Sequence, residues 1–518
     1  MTFPQTFQAA IEHHRTGRLE SAIALYRNLQ SQDPNHPDVL HLLGLALHQS
    51  GKDNEAIPLF ERAIALHPAS DYYANFAELW RRQEKYEEAI KCYRQVLDRV
   101  PQDLEIRYLL AEALIRQDKY EEALAELDKC IKGGKADSNT WATTCEALRR
   151  LERLDEAIEA ARRAVSLDPN SAPAWHSLGW TLMRQGKIQE GLPYIDQAIR
   201  LRPDWALVIW RRAFANLTLG NFADGWRDYE ARWQDNELQG KTARKLPGQI
   251  WRGKDVAGKR VFVHMEQGIG DFIQMVRYIP LISARGAAGV VLEAPLEIYP
   301  LARRSFPQAE LLTENEQKIK YNFFLPIMSL PLAFGTRLDT IPADIPYLRA
   351  DEQATENWKR RLAEFPGKKI GIVWAGSPTH ANDKNRSILL RRLLPLAAVP
   401  GVRSVSLQKG ERSKQVAEAP EFNLIDWTEE LRNYDDTAAL VSALDLIISV
   451  DTSVAHLSGA LGKPTWTLIP YAPDFRWLLD RQDSPWYPTM RLFRQPALGD
   501  WETVVQRVAG ELGDFTGK

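Results

Sequence analysis

Asp451-Thr452-Ser453-Val454-Ala455-His456-Leu457 lies between an apolar run, Leu444 to Val450, and a helical pattern with apolar residues at Val454, Leu457 and Leu461. The run reads as a buried parallel strand, Gly462 and Pro464 end the helix, and Thr465 to Ile469 reads as the next strand. A strand that turns sharply on Asp-Thr-Ser into a helix aims free backbone N–H groups and hydroxyls at the loop, where the helix dipole favours an anion. A phosphate or diphosphate suits that chemistry. An ordinary helix N-cap accounts for the same residues.

Three further groups fall after expected strands. Asp271 closes the turn Glu266-Gln267-Gly268-Ile269-Gly270 behind the strand Arg260 to Met265, placed to accept a proton or to cap the following helix. Lys384 and Arg386 stand two apart in the polar loop Ser377 to Ser387, a point charge and a fork that suit a diphosphate. Gln408 and Lys409 end another strand, placed for base and ribose contacts or for a solvated loop. Gly268-Ile269-Gly270 lacks the third glycine of a dinucleotide fingerprint.

The elements that must position these residues are strands alternating with helices over 259–518. Strands are expected at Arg260 to Met265, Val290 to Glu293, Asn322 to Leu325, Lys369 to Gly376, Arg403 to Leu407, near Leu424-Ile425, and at Leu446 to Val450. The proline-rich stretch Leu338 to Leu348 divides them into two successive units. Two doubly wound parallel sheets follow, with ligands beyond the C-terminal strand ends.

The preceding half repeats. Ser21-Ala22, Glu55-Ala56, Glu88-Ala89, Glu122-Ala123, Glu156-Ala157, Glu190-Gly191 and Asp224-Gly225 recur every 33 or 34 residues, the tetratricopeptide period. In one unit Val39, Leu42, Leu43, Ala46 and Leu47 form one apolar helix face, and Ala56, Ile57, Phe60, Ala63 and Ile64 form the second. Neither face is buried by its own pair, so the units stack into an all-α solenoid with a concave groove. Seven repeats are expected over 3–236, then a polar linker over 237–258. Trp226, Tyr229 and Trp233 in the last unit read as a seal against the next domain or as a ligand platform. The groove suits a polypeptide, with His41, Asn75 and Trp175 as contacts; a spacer or homo-oligomer surface is the alternative.

Composition narrows the classes. A net charge of −2 argues against non-specific nucleic-acid binding. No run of about 18 apolar residues and no apolar leader in 1–18 leads to the expectation of a cytoplasmic protein without a membrane span. Cys92, Cys130 and Cys145 lack metal or redox spacing and read as thiols in a reducing compartment.

Together, Gly270-Asp271, the Lys384/Arg386 loop, and Asp451 to Leu457 with Leu461-Gly462-Lys463-Pro464 make 259–518 resemble the lipopolysaccharide heptosyltransferases. Repeats followed by such a pair resemble the O-linked N-acetylglucosamine transferases and repeat-bearing flagellin glycosyltransferases. The resemblance implies a GT-B fold of two Rossmann-like halves, the acceptor side over 259–365 and the nucleotide-sugar side over 366–518. It implies Asp271 as general base, Lys384 with Arg386 at the donor phosphate, and Thr452, Ser453 and His456 as the donor loop; Asp451, Gln408 and Lys409 join the expected donor-binding residues from their places at strand ends. Ser453 stands where the heptosyltransferases usually carry glycine.

The expected activity is transfer of a sugar from a nucleotide-sugar donor to a protein Ser or Thr hydroxyl, with inversion favoured by the resemblance. No Asp-x-Asp occurs in the chain, so no metal of that kind and no other cofactor is expected. A lipid or polysaccharide acceptor is the alternative enzymatic reading, and an inactive repeat scaffold is the third. The segment Asp474 to Tyr487 either reaches the cleft mouth or packs between domains.

Overall fold

The computed structural model describes residues 2–234, 246–314, 320–380 and 382–517. Two compact units emerge, Met1–Leu182 with Arg200–Pro203, and Met183–Ile199 with Asp204–Lys518.

From Phe3 to Leu201 helices alternate in antiparallel pairs, such as Pro37–Gln49 with Asp53–Leu66. Ala56, Phe60, Val39 and Leu43 are buried at the contact faces of that pair. The close approach needs small residues, because even a Cβ on Gly44 would meet the Phe60 ring at 3.3 Å. The turn between the helices repeats with left-handed backbone at Gly17, Gly51, Glu84, Asp118, Glu152, Gly186 and Gly220. Glycine takes that conformation without strain, whereas an L side chain costs about 1–2 kcal/mol. Three of the repeats, with Glu84, Asp118 and Glu152 at this position, therefore bear local strain. Cys92, Cys130 and Cys145 are all buried free thiols in this region.

The second unit contains two five-stranded sheets, parallel throughout. The first has the order β1-β5-β2-β3-β4, from β1 (Gln249–Ile250), β2 (Arg260–His264), β3 (Gly289–Glu293), β4 (Glu310–Leu312) and β5 (Phe323–Pro326). The second has the order β10-β9-β8-β6-β7, from β6 (Lys368–Val373), β7 (Val402–Ser406), β8 (Leu446–Val450), β9 (Thr465–Ile469) and β10 (Met490–Arg494). β8 and β9 are buried at every position, as central strands covered on both faces must be. This is the Rossmann-like α/β arrangement expected from the alternation of elements.

Several details differ from the sequence expectation. Leu424-Ile425 makes a single bridge, Val405 to Ile425, rather than a strand. β1, β4 and β10 are additional edge strands; β1 lies in the stretch expected to be linker, where Trp251 is also buried. The earlier part of that linker, 237–245, and residues 235–236 of the expected repeat region lie outside the described residues. The helix expected from Phe272 begins earlier and has a 3-10 segment, Val276–Tyr278, before Ile279–Ala284.

The last helical pair, Ala206–Thr218 with Phe222–Tyr229, belongs to the second unit. Trp226 and Tyr229 share one apolar core with Val261, Val263 and Phe272 of the first sheet's layer. These two aromatics are packing residues. No helix among the described residues is long and apolar enough to cross a membrane.

The turn strain gives a direct test. Glu84 is exposed and left-handed, so Glu84→Gly should stabilise the repeats by about 0.5–1 kcal/mol, the relieved strain minus glycine's extra unfolded-state entropy. A thermal-unfolding midpoint for the repeats above that of the wild type is the expected result; a lower one would show that the strain is absent.

Candidate functional site

Two helix starts carry the candidate residues. The first helix, Ile269–Met275, begins directly after β2 and its turn, and Gly268 is its N-cap. Asp271 sits at its third position and accepts a hydrogen bond from the Gly268 N–H at 2.9 Å. A carboxylate there is favoured by the helix dipole and satisfies an otherwise unpaired donor. The second helix, Ser453–Ala460, follows β8, with extended Thr452 as its N-cap. Its first N–H groups face the loop, as at any helix start.

The fold brings these two starts together. A Cβ on Gly270 would lie 3.2 Å from His456 Cδ2 and 3.5 Å from the Ser453 Cα. Any side chain at 270 would force the His456 ring to give by a few tenths of an ångström. Asp271 thus lies one residue from the contact between the first sheet's leading helix and the Asp451–His456 segment.

The residue that fastens this contact was not singled out from sequence. Arg476, on the loop after β9, is buried and donates to Asp271 and, through Nη1, to Asp474 Oδ1 at 2.7 Å. Its Nε donates to Gln274 Oε1 at 2.7 Å. Burial opposes the guanidinium charge, but Asp474 and Asp271 outweigh it and raise the pKa. The Asp474 to Tyr487 segment therefore packs between the halves and also reaches the candidate base. Its only sequence signal is an arginine set among Phe475 and Trp477; the partner lies 205 residues away.

His456 is buried, stacked on Trp477 with ring centroids 5.3 Å apart, and paired through Nδ1 with the Tyr487 hydroxyl at 2.9 Å. Burial, reinforced by Arg476, Arg277 and Arg386, depresses its pKa well below the usual value and keeps the ring neutral. Ser453 Oγ meets the Tyr434 hydroxyl at 2.6 Å, and Thr452 Oγ1 lies 3.2 Å from Ser449 Oγ. The Tyr434 N–H in turn donates to the Glu297 carbonyl at 2.8 Å, a contact from the second half to the first.

Arg386 lies over the backbone of Gly376, where a Cβ would come within 2.6 Å of the guanidinium. Its Nη1 donates to the Asp451 carbonyl at 3.0 Å, which ties the polar loop to the strand-end loop. Lys384, two residues earlier, is exposed. Asp451 itself is buried; desolvation, then the charge of Asp474, raises its pKa to about 6. Gln408 is buried and braces the end of β6: Oε1 accepts from the Trp374 and Ala375 N–H groups at 3.2 and 2.8 Å. Lys409 donates to the Thr428 carbonyl at 2.7 Å. Gln408 thus braces a strand end and Lys409 holds the 3-10 turn Thr428–Glu430, whereas Asp271, Arg386, Asp451, Thr452, Ser453 and His456 gather at one place.

Arg277 completes the packing beneath the site. It is buried and donates to the Gln274, Pro342 and Trp486 carbonyls and to the Tyr347 hydroxyl. The faces of Tyr347 and Tyr487 lie 4.7 Å from its guanidinium, a cation–π arrangement that helps to offset desolvation. Among the described residues no group of three or more His, Cys, Asp or Glu side chains could hold a metal ion. Of the residues expected to contact a polypeptide, His41 is instead buried between repeats, stacked on Tyr72 and bonded through Nε2 to Asn75 at 2.9 Å, while half-buried Trp175 donates to the Pro169 carbonyl.

The family models that match this chain fall in its N-terminal half. Tetratricopeptide repeat families match residues 14–78, 138–180 and 172–204, and the family of anaphase-promoting complex, cyclosome, subunit 3 matches 49–130. Protein FlbA of Caulobacter vibrioides is 29% identical over 335 residues, covering 60% of this chain and 56% of that protein. The chain thus spans a little over half the length of this curated relative. A tetratricopeptide repeat protein from Parabacteroides merdae has 16% identity and a TM-score of 0.41, covering 47% of this chain and 94% of its own. YrrB, described as a TPR protein with an unusual peptide-binding site, has 20% identity and a TM-score of 0.31, covering 35% of this chain and 95% of its own.

The raised Asp451 pKa has a sign. The folded state binds a proton between about pH 4 and 6 that the unfolded chain, with its ordinary carboxyl value of 3.8, does not. The group therefore costs stability above pH 6, and the cost fades as pH falls towards 4. Asp451→Asn should raise the unfolding midpoint at pH 7.5 more than at pH 5. An equal gain at both values would show that Asp451 titrates normally.

The N-terminal half is a tetratricopeptide-repeat solenoid, and it precedes a Rossmann-like α/β region of two parallel sheets.

Proposed function

We propose that the protein is a glycosyltransferase of GT-B type that moves a sugar from a nucleotide sugar to a polypeptide Ser or Thr hydroxyl. The observation that carries the reading is the meeting of Gly270 with Ser453 and His456. It places the candidate base beside the candidate diphosphate loop, although the two lie in different halves of the second unit.

In this reading Asp271 takes the proton of the acceptor hydroxyl as its oxygen attacks the anomeric carbon. The bond from that carbon to the diphosphate oxygen breaks, and the nucleoside diphosphate leaves with the electron pair. Lys384 and the N–H groups opening the Ser453–Ala460 helix meet the charge that develops on the leaving group. Arg386 and neutral His456 shape the loop, the first by its bond to the Asp451 carbonyl, the second by packing under the helix start. Attack from the face opposite the leaving group inverts the anomeric centre. No divalent metal is required by this arrangement. The solenoid groove holds the acceptor polypeptide, and the site of action is the cytoplasm.

One observation favours a second reading, an inactive scaffold. Asp271 is paired with Arg476, and a base so held must first part from its partner to accept a proton. In a transferase, this pair opens when the ligands enter; in a scaffold, it is a permanent fastening.

Thermal shift of the full chain against UDP, GDP, ADP and CMP sugars separates the two. Ligand at about 100 times its dissociation constant should stabilise the fold by about 2.7 kcal/mol. One nucleotide class should stabilise the wild type and Asp271→Asn alike, while Lys384→Ala loses the shift. Transfer to protein should fall by at least about 100-fold in Asp271→Asn, the range of general-base catalysis. No shift with any donor would favour the scaffold, and equal donor affinity in Lys384→Ala would remove that lysine from the phosphate site.

A further inference from the structure

The last helical pair reaches both members of the Asp271–Arg476 pair. On one side, Arg232 in the 3-10 turn Glu230–Trp233 forms a buried fork with Glu266, Nη2 to Oε1 at 2.8 Å and Nε to Oε2 at 3.0 Å. The next residue, Gln267, meets the Tyr229 hydroxyl through its side-chain amide, Nε2 donating at 2.7 Å. Gln267 is left-handed at φ 61°, a conformation that costs a non-glycine residue free energy unless its surroundings hold it. Glu266 and Gln267 form the turn that leads through Gly268 into the helix of Asp271.

On the other side, Phe475, the neighbour of Arg476, packs edge-on against Phe214, Trp226 and Tyr229, with ring centroids 5.4, 5.6 and 6.2 Å apart. Tyr229 therefore touches both arms: its hydroxyl holds the Asp271 turn and its ring supports the Arg476 loop. It is itself buried, so neither contact is loosened by solvent. The pair Asp271–Arg476 bridges 205 residues of sequence, and Tyr229 is a common abutment for its two ends.

We propose that Tyr229 is a positioning residue, and that the seventh repeat is a working part of the reaction centre which fixes the geometry of Asp271 and Arg476. Its catalytic consequence rests on the transferase reading above; its structural consequence does not. The repeat thereby serves two purposes, closing the helical array and setting the candidate base.

The test uses the full chain with Tyr229→Phe, which keeps the ring and removes only the hydroxyl, and Gln267→Met, which keeps length and removes only the amide. Hydrogen exchange read by mass spectrometry should quicken in peptides spanning 266–272 by about fivefold for the loss of one such bond, and the rise should pass to 474–477 through the Asp271–Arg476 pair, since both variants keep the ring against Phe475. Peptides from β8 and β9 should not change. The double variant should show no more than either single one, because both remove the same contact. Unchanged exchange in both segments, or a uniform rise across the chain, would overturn the proposal. Where the wild type transfers sugar, both variants should lose kcat by a similar factor with the donor KM unaltered, and a loss confined to KM would also overturn it. Where the wild type transfers nothing to any acceptor, the transferase reading fails and the exchange pattern still decides the positioning role.

Discussion

A guanidinium taken out of water must be met by opposite charge and by acceptors for its N–H groups, or the fold does not form. Arg476 meets that demand with Asp271, Asp474 and Gln274. Two of these partners lie on the first helix of the first sheet, and the arginine itself comes from the second sheet's final loops. The need to neutralise one buried charge thus fixes how the leading helix of one half lies against the other. Removing Arg476 would leave the partly exposed carboxylates of Asp271 and Asp474 without their shared cation and would free Gln274 of its partner.

Arg277 solves the same problem differently. Its hydrogen bonds run to carbonyl and hydroxyl oxygens, and the electron-rich faces of tyrosine rings supply the rest. The charges of both arginines add to burial in keeping the His456 ring uncharged. The repeats meet this same neighbourhood through Tyr229, Arg232 and Trp226, so its rigidity is shared with the helices that precede the first sheet.

Much of the architecture was legible because it is periodic. The repeat rests on small residues every 33 or 34 positions, and the central strands are unbroken apolar runs. The edge strand β7 was legible, but β1 and β4 were not: they have only two and three residues, and neither presents a pattern distinguishable from a polar connection. The convergence of Asp271 with Thr452, Ser453 and His456 followed from strand-end logic and from resemblance. Gln408 shows where that logic stops, because a polar side chain at a strand end serves equally as a brace for its neighbour strand. Arg476 and Tyr229 were out of reach for a further reason: their value lies in contacts between distant segments, which no local spacing encodes.

The buried cysteines carry a practical consequence. Burial pushes the thiols of Cys92, Cys130 and Cys145 up to about 11, so at neutral pH little thiolate is present and reagents have little access to it. The native chain is a chemically quiet background. A single cysteine placed on an exposed repeat surface would be alkylated selectively by a maleimide dye, without first rebuilding the repeats as a cysteine-free protein.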